Sequence, residues 1–195
     1  MLKYDDVVTE VEYDDDLEVV VVRTAHHTNF EAKLKKRTQT SGCAQGTAFG
    51  DLLEAVEKVA LPKAELRTSW LYRMTHTINT MPSLYLEAGA IHGCVLCKEG
   101  EPLCYTEDVG RHNAADKVIG HLLMEGLLPA SDLILVMSSR ASFELVQKAA
   151  MAGFCQLVAV SAASSLAVDT ARKTGMALVG FARGDRFNLY SGDLK

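Results

Sequence analysis

No stretch of the 195-residue chain approaches the roughly 18 uncharged apolar residues of a membrane-spanning helix, so no membrane partner is expected. A basic leader start is missing as well. Asp5, Asp6, Glu10 and Glu12 stand where a signal peptide carries lysine or arginine, which makes a cytoplasmic location the default expectation. Cationic surplus is absent: 20 Lys and Arg stand against 25 Asp and Glu, a net charge of -5, which argues against nucleic acid as a partner. Any anion site must therefore be a local concentration of positive charge, for which Arg111, Lys117, Arg140, Arg183 and Arg186 are the candidates. There is no internal repeat, low-complexity tract or Pro/Gly/Ser-rich linker, which favours one compact domain over most of the chain. The five cysteines are odd in number and irregular in spacing, so free thiols are expected and a disulfide framework is not.

What is present is an ordinary globular composition, 48% hydrophobic and 23% charged, with a marked order of elements. Asp14, Asp15 and Asp16 signal a turn before the β-branched run from Leu17 to Arg23, which predicts a strand, and a basic cluster follows from Lys33 to Arg37. A loop of small polar residues, Thr40 to Thr47, contains Cys43 between Gly42 and Gly46. Pro62 is expected at the first position of a helix that carries Leu66, Trp70, Leu71, Met74 and Ile78 on one face. Residues 90–98 and 102–107 predict a hairpin turning at Glu99-Gly100-Glu101. Beyond it, helices are expected to about 125, over 142–152 and over 164–174, alternating with strands over 132–138, 156–160, 176–182 and 187–190. Such alternation predicts an α/β fold, a three-layer α/β/α sandwich around a mixed sheet.

Three turns of one chemical character sit where strands end. The first, Glu107-Asp108-Val109-Gly110-Arg111-His112-Asn113-Ala114-Ala115-Asp116-Lys117, combines a glycine for close backbone approach, two cations, and Asn113 as a candidate helix cap. The second, Ser138-Ser139-Arg140-Ala141-Ser142, follows the apolar run 133–137; a helix cap by Ser139 or Ser142 accounts for one serine but not for three hydroxyls and an arginine. The third, Ser161-Ala162-Ala163-Ser164-Ser165, follows the strand ending at Val160. In α/β sheets ligands sit at the carboxyl ends of strands, so one shared pocket for an anion, most simply a phosphate, is expected.

The segments EDVGRHNAADKVIG, SSRASFELVQKAAMAG, AVSAASSLAVDTARKTGMALVGFAR and NLYSG, in that order, resemble the formate dehydrogenase accessory sulfurtransferases of the FdhD/NarQ type over roughly residues 36–191. Glu87 to His92 resembles the family's Thr-Gly-Gly-x-His segment, with Ala88 and Ala90 as departures and His92 kept. The resemblance implies a cytidine-deaminase-like fold over 38–195, with residues 1–37 as an N-terminal strand region, the remnant of a smaller domain. Against the family's pattern an N-terminal segment of several dozen residues is missing, as in a short member or a fragment. It further implies a sulfurtransferase that takes sulfur from a cysteine desulfurase as a persulfide on Cys43. The sulfur then passes to the molybdenum cofactor, bis-(molybdopterin guanine dinucleotide), for the formate dehydrogenase catalytic subunit. A homodimer is implied, and guanosine diphosphate is the expected mimic of the cofactor. The residues implied to hold it are His92, Glu107, Asp108, Gly110, Arg111, His112, Asn113, Asp116, Lys117, Ser138, Ser139, Arg140, Ser142 and Ser161, and the stretch Phe181, Ala182, Arg183, Gly184, Asp185 and Arg186.

By its residues alone Cys43 is either an inert small turn residue or a thiol activated by Lys35, Lys36 and Arg37; the resemblance favours the second. The family's second loop cysteine is Gly46 here, so a mechanism must run through Cys43 alone, and a cofactor-binding chaperone without thiol chemistry is the alternative. His112 is open to proton transfer, phosphate binding or helix-start hydrogen bonding, of which binding is favoured. Glu107 and Asp108 either orient Arg111, accept from a guanine edge, or form a solvated acidic pair. A zinc set of His92, Cys94, Cys97 and Cys104 is disfavoured because residues 94 and 97 of a strand face opposite ways, so no metal site is expected and these thiols, with Cys155, are assigned to the core. The His-x-Glu and Pro-Cys-x-x-Cys signatures of zinc deaminases are missing.

Overall fold

The computed structural model describes residues 7–25, 37–39, 47–49 and 56–195. Cys43, residues 40–46 of its glycine-rich loop and the basic residues 33–36 lie outside the described residues.

Apolar alternation builds the main sheet. Strands β5 (His92–Lys98), β6 (Glu101–Asp108), β7 (Ile134–Met137), β8 (Gln156–Ala159), β9 (Ala177–Arg183) and β10 (Arg186–Ser191) lie in the order β10-β9-β8-β7-β5-β6. β7, β8 and β9 run parallel, and β5, β6 and β10 are antiparallel to their neighbours. The two central strands, ILVM and QLVA, are buried throughout, as strands covered on both faces must be. Side chains of period two divide between two cores. Leu135, Met137, Leu157 and Leu178 face helices α3 (Arg111–Met124), α4 (Phe143–Met151) and α5 (Ser165–Thr174). Ile134, Val136, Val158 and Val179 face the apolar stripe Leu71, Met74 and Ile78 of α1 (Thr68–Thr80), together with Leu66. The expected three-layer α/β sandwich is what forms.

The boundaries hold to within a few residues, with three corrections. Pro62 does not open a helix: residues 59–67 are irregular, with Leu61 donating to the Thr174 carbonyl and Lys195 to that of Leu66, and α1 begins only at Thr68. Leu66 is buried as expected, but from this extended segment. The hairpin turn is Glu99-Gly100, both at positive φ, and Glu101 already belongs to β6; a Cβ on Gly100 would stand 2.9 Å from that of Trp70. The predicted strand after Asp16 is β2 (Val19–Thr24), and it has an unforeseen antiparallel partner, β1 (Val8–Asp14). The acidic turn works as expected, Asp14 Oδ1 accepting from the N–H groups of Asp16 and Leu17. The short strands β3 (Arg37–Gln39) and β4 (Thr47–Phe49) also pair antiparallel.

Leu157 is fully buried, whereas Val20 on the hairpin is 57% exposed. Leu157→Ala should cost about 2–5 kcal/mol of stability, and Val20→Ala should stay within about 0.5 kcal/mol. Urea denaturation of both variants checks this, and the reverse order would move the core away from the sheet.

Candidate functional site

Parallel register places the ends of β7 and β8 side by side, with Met137 opposite Ala159, and backbone hydrogen bonds then join the turns beyond them. Ala141 donates to the Ala162 carbonyl and Ser164 to that of Ala141, while Phe181 donates to the Ser161 carbonyl at 3.0 Å. Ser138 exchanges two bonds with Gly93 of β5: its N–H donates to the Gly93 carbonyl, and its Oγ accepts from the Gly93 N–H. His92, next to Gly93, pairs across the hairpin with Asp108. The first turn thus joins the second through β5 and β6. Gly180 has no room for a side chain, since a Cβ would meet Ser161 O at 3.2 Å and Tyr190 Cε2 at 2.7 Å.

The strand-end turns have identifiable donors. Arg111 opens α3, and its Nε is buried without a hydrogen-bond partner; Ser142 precedes α4, and its Oγ is likewise buried and unpartnered. Unmet buried polar atoms are costly, and here two of them accompany two helix N-termini whose N–H groups favour an anion. His92 and His112 both have pKa values below the usual imidazole range, first because burial penalises the charged form. Arg111 adds to this at His92, and Lys148 with Arg111 at His112. Arg140 is exposed at the rim, beside buried Ser138 and Ser139. Phe181 holds a left-handed backbone with φ 51° while its ring is 46% exposed, local strain at the edge of the same turns. Two buried polar atoms without a partner thus lie in the turns where the sequence places a candidate anion site.

Not every expected residue faces this cradle. Asn113 does not cap α3: Gly110 holds the cap position, and the Asn113 amide donates to Asp108 Oδ1 at 3.2 Å, beside the Gly110 N–H at 2.9 Å. Ser142 stands at the cap position of α4 yet makes no cap bond, and Ser139 Oγ turns to the Met137 sulfur and the Arg140 carbonyl. Lys117 is committed to Asp108 Oδ2 at 2.8 Å and to the Glu107 carbonyl, which with the Gly110 N–H holds the Asp108 carboxyl below its ordinary pKa. Asp116 pairs with Lys148. Half-buried Glu107 does not orient Arg111; its carboxylate accepts from Leu84 N, Tyr85 N and Tyr105 Oη, and so anchors the short helix α2 (Leu84–Ala88). Ala182 points into the second core, Arg183 Nε donates to the Val160 carbonyl, and Arg186 is almost fully exposed. Gly184 and Asp185 leave the cradle for a cavity against α1.

The cysteines follow their strand positions. Cys94 lies in the first core and Cys97 in the second, on opposite faces as expected, and burial pushes each thiol up to about 12. Cys155 is buried and raised, but Cys104 is only half-buried at the margin of the first core, which corrects its assignment to the interior. Among the described residues no three His, Cys, Asp or Glu side chains gather as metal ligands, and no helix is long and apolar enough to cross a membrane. Sequence reading missed the backbone ties through Ala141 and Ala162, which carry no side-chain signal. It also missed the polar stripe Tyr72, Thr75, His76 and Asn79, whose helical spacing was there to be read.

Fold and site together define an α/β protein whose polar turns gather at the carboxyl ends of parallel strands. The chain belongs to the FdhD/NarQ family, whose model matches residues 1–195. It is 48% identical over 158 residues to the sulfur carrier protein FdhD of Nocardia farcinica, covering 80% of this chain and 56% of that one. The counterpart from Corynebacterium efficiens is 63% identical over 112 residues, 57% of this chain and 40% of that one. The chain therefore spans about half the length of the curated relatives it matches. A crystal structure described as a formate dehydrogenase accessory protein, from Desulfotalea psychrophila, superposes with TM-score 0.74, covering 98% of this chain and 72% of that one at 21% identity, which shows the shared fold.

The depressed histidines have a consequence for stability. Their folded pKa values lie below the unfolded value near 6.5, so from that pH downward the unfolded chain binds more protons and stability falls with pH. Asp108 acts lower, its contribution being lost as pH falls below the ordinary carboxylate range. Denaturation midpoints at pH 7 and pH 5.5 should differ, and His112→Gln should shrink the difference; an unchanged slope would show that His112 titrates normally.

Proposed function

We propose that the chain is a sulfur carrier acting in formate dehydrogenase maturation, with the strand-end cradle holding the phosphates of a nucleotide-bearing cofactor. Family membership supports the carrier role, as do the relatives, which are named sulfur carrier proteins. The observation that carries the binding half is the pair of buried, unpartnered donors, Arg111 Nε at the start of α3 and Ser142 Oγ at the cap position of α4. The cargo is the bis-(molybdopterin guanine dinucleotide) molybdenum cofactor. Arg111, Ser142, Arg140 and the α3 and α4 amides are its phosphate contacts, with His92 and His112 as neutral donors or acceptors beside them. Proton transfer is not asked of either histidine.

Sulfur chemistry falls to Cys43. Its thiolate attacks the outer sulfur of a desulfurase persulfide, takes that sulfur, and releases the desulfurase cysteine as a thiolate. With Gly46 in place of a second loop cysteine, no second thiol of the same loop can resolve the persulfide, so the sulfur stays on Cys43 until delivery. The same substitution favours the second reading, a cofactor chaperone without thiol chemistry. The remaining proposals are the cytoplasmic location, the homodimer, and the formate dehydrogenase catalytic subunit as client.

Mass spectrometry after incubation with a cysteine desulfurase and cysteine tests the carrier role. The expected result is one reducible sulfur on Cys43, and none in Cys43→Ala. Iodoacetamide should alkylate Cys43 first, Cys104 next, and Cys94 and Cys97 last, because burial holds those two thiols un-ionised. No sulfur on Cys43, with activation of formate dehydrogenase retained in Cys43→Ala, would leave the chaperone.

The cradle is tested separately by calorimetry with guanosine diphosphate. Arg111→Ala and Arg140→Ala should each weaken binding by about 1.5–3 kcal/mol, as loss of a charge-assisted hydrogen bond does. Equal affinity in wild type and both variants would remove the cradle from the site.

A further inference from the structure

Antiparallel pairing of β5 with both β6 and β7 makes those two strands run the same way, so α3 and α4, which follow them, begin at one end of the sheet. They rest on different supports. α3 packs on β5 and β6, whereas α4 packs on α5, which leaves a seam between the two helices whose starts carry Arg111 and Ser142. An ion pair crosses that seam, from Lys148 Nζ of α4 to Asp116 Oδ2 of α3 at 2.5 Å. The Lys148 side chain is 21% exposed, against 52% for Lys117 and 50% for Lys98 in their own ion pairs.

Lys148 stands behind the ligand contacts and not among them. It lies six residues beyond the cap position Ser142, about 9 Å along the axis at about 1.5 Å per residue, and its ammonium is committed to a carboxylate five residues beyond Arg111. One turn nearer the starts, His112 sits on the face of α3 that carries Asp116, and Glu144 on the face of α4 that carries Lys148. The four form a charged cluster across the seam. Burial first, then the charges of Lys148 and Arg111, lower the His112 pKa, and Glu144 and Asp116 oppose them. A lysine withdrawn from water needs a partner, and Lys148 finds its partner on the opposite helix.

Two donors on separate helices serve one anion only where the helix starts keep a fixed spacing, to within roughly 0.5 Å in a preorganised site. We propose that Lys148 is a positioning residue of the anion site, its bond to Asp116 holding the starts of α3 and α4 at the spacing in which Arg111 and Ser142 reach one anion. The assignment rests on the cradle reading and adds to it a residue that lies outside the three turns.

Calorimetry of the whole chain with inorganic pyrophosphate, beside NMR titration of the His112 imidazole, tests it. Lys148→Met should weaken pyrophosphate binding roughly tenfold, as loss of a supporting residue behind a ligand contact does, and should raise the His112 pKa. The carboxylate it leaves behind, Asp116, has a side chain 52% exposed and is met by water, so the variant is expected to fold, which thermal melting checks. Lys148→Arg, which keeps the charge and the reach, should restore both values. Asp116→Asn should also weaken binding while moving the histidine the other way, downward, because a carboxylate is lost instead of a cation. Lost affinity with histidine shifts of opposite sign is a pattern that general loosening of the fold does not produce. Wild-type affinity in Lys148→Met overturns the assignment, and so does tighter binding in Asp116→Asn, which would make Lys148 a direct phosphate contact released from its carboxylate. Failure of the wild-type chain to bind pyrophosphate removes the cradle and this duty of Lys148 with it, even where the histidine shifts are seen.

Discussion

The site depends on the parallel pairing of β7 with β8 and of β8 with β9. Because Met137 is opposite Ala159, the turns that follow leave the sheet at one level, and their backbones satisfy one another: Ala141 with Ala162, Ser164 with Ala141, Phe181 with Ser161. A shift of register by one residue would break those bonds and would turn the alternating side chains of both cores to the wrong faces. The same constraint that sorts Leu157 and Val158 to opposite layers therefore brings serines far apart in sequence to one rim.

Within that frame the acidic and basic residues have divided labour. Glu107 anchors α2, Asp108 holds Gly110, Asn113 and Lys117, and Asp116 holds Lys148. These commitments fix the loop before α3 and leave half-buried Arg111 with a buried Nε that has no bond of its own. An overall negative chain thus leaves uncommitted positive character at a few amides and guanidinium groups of these turns.

Element type was legible wherever periodicity was strong, as in the ILVM run and the α1 stripe. It was less legible where a single residue was trusted. Pro62 suits a helix start, but the chain there is held extended by bonds to Thr174 and Lys195, contacts that no local pattern reports. Asn113 suits a cap, but Asp108 two residues before Gly110 takes the N–H that matters, and Asn113 becomes its partner. β1 went unseen because its alternation of Val and Glu lacks a buried face to mark it: its residues are almost all exposed.

By itself the sequence determined the α/β class, the strand and helix order, the three polar turns and the family, because all of these rest on local period and on motifs that survive without coordinates. Tertiary structure alone decided which members of those turns are tied up in hydrogen bonds and which are left without a partner. Hydrogen-bond demand is met by whichever partner the fold brings close, so Lys117, Glu107 and Asn113 were drawn into structural duties, Gly184 and Asp185 were carried over to α1, and Arg111 and Ser142 were left with buried polar atoms to satisfy.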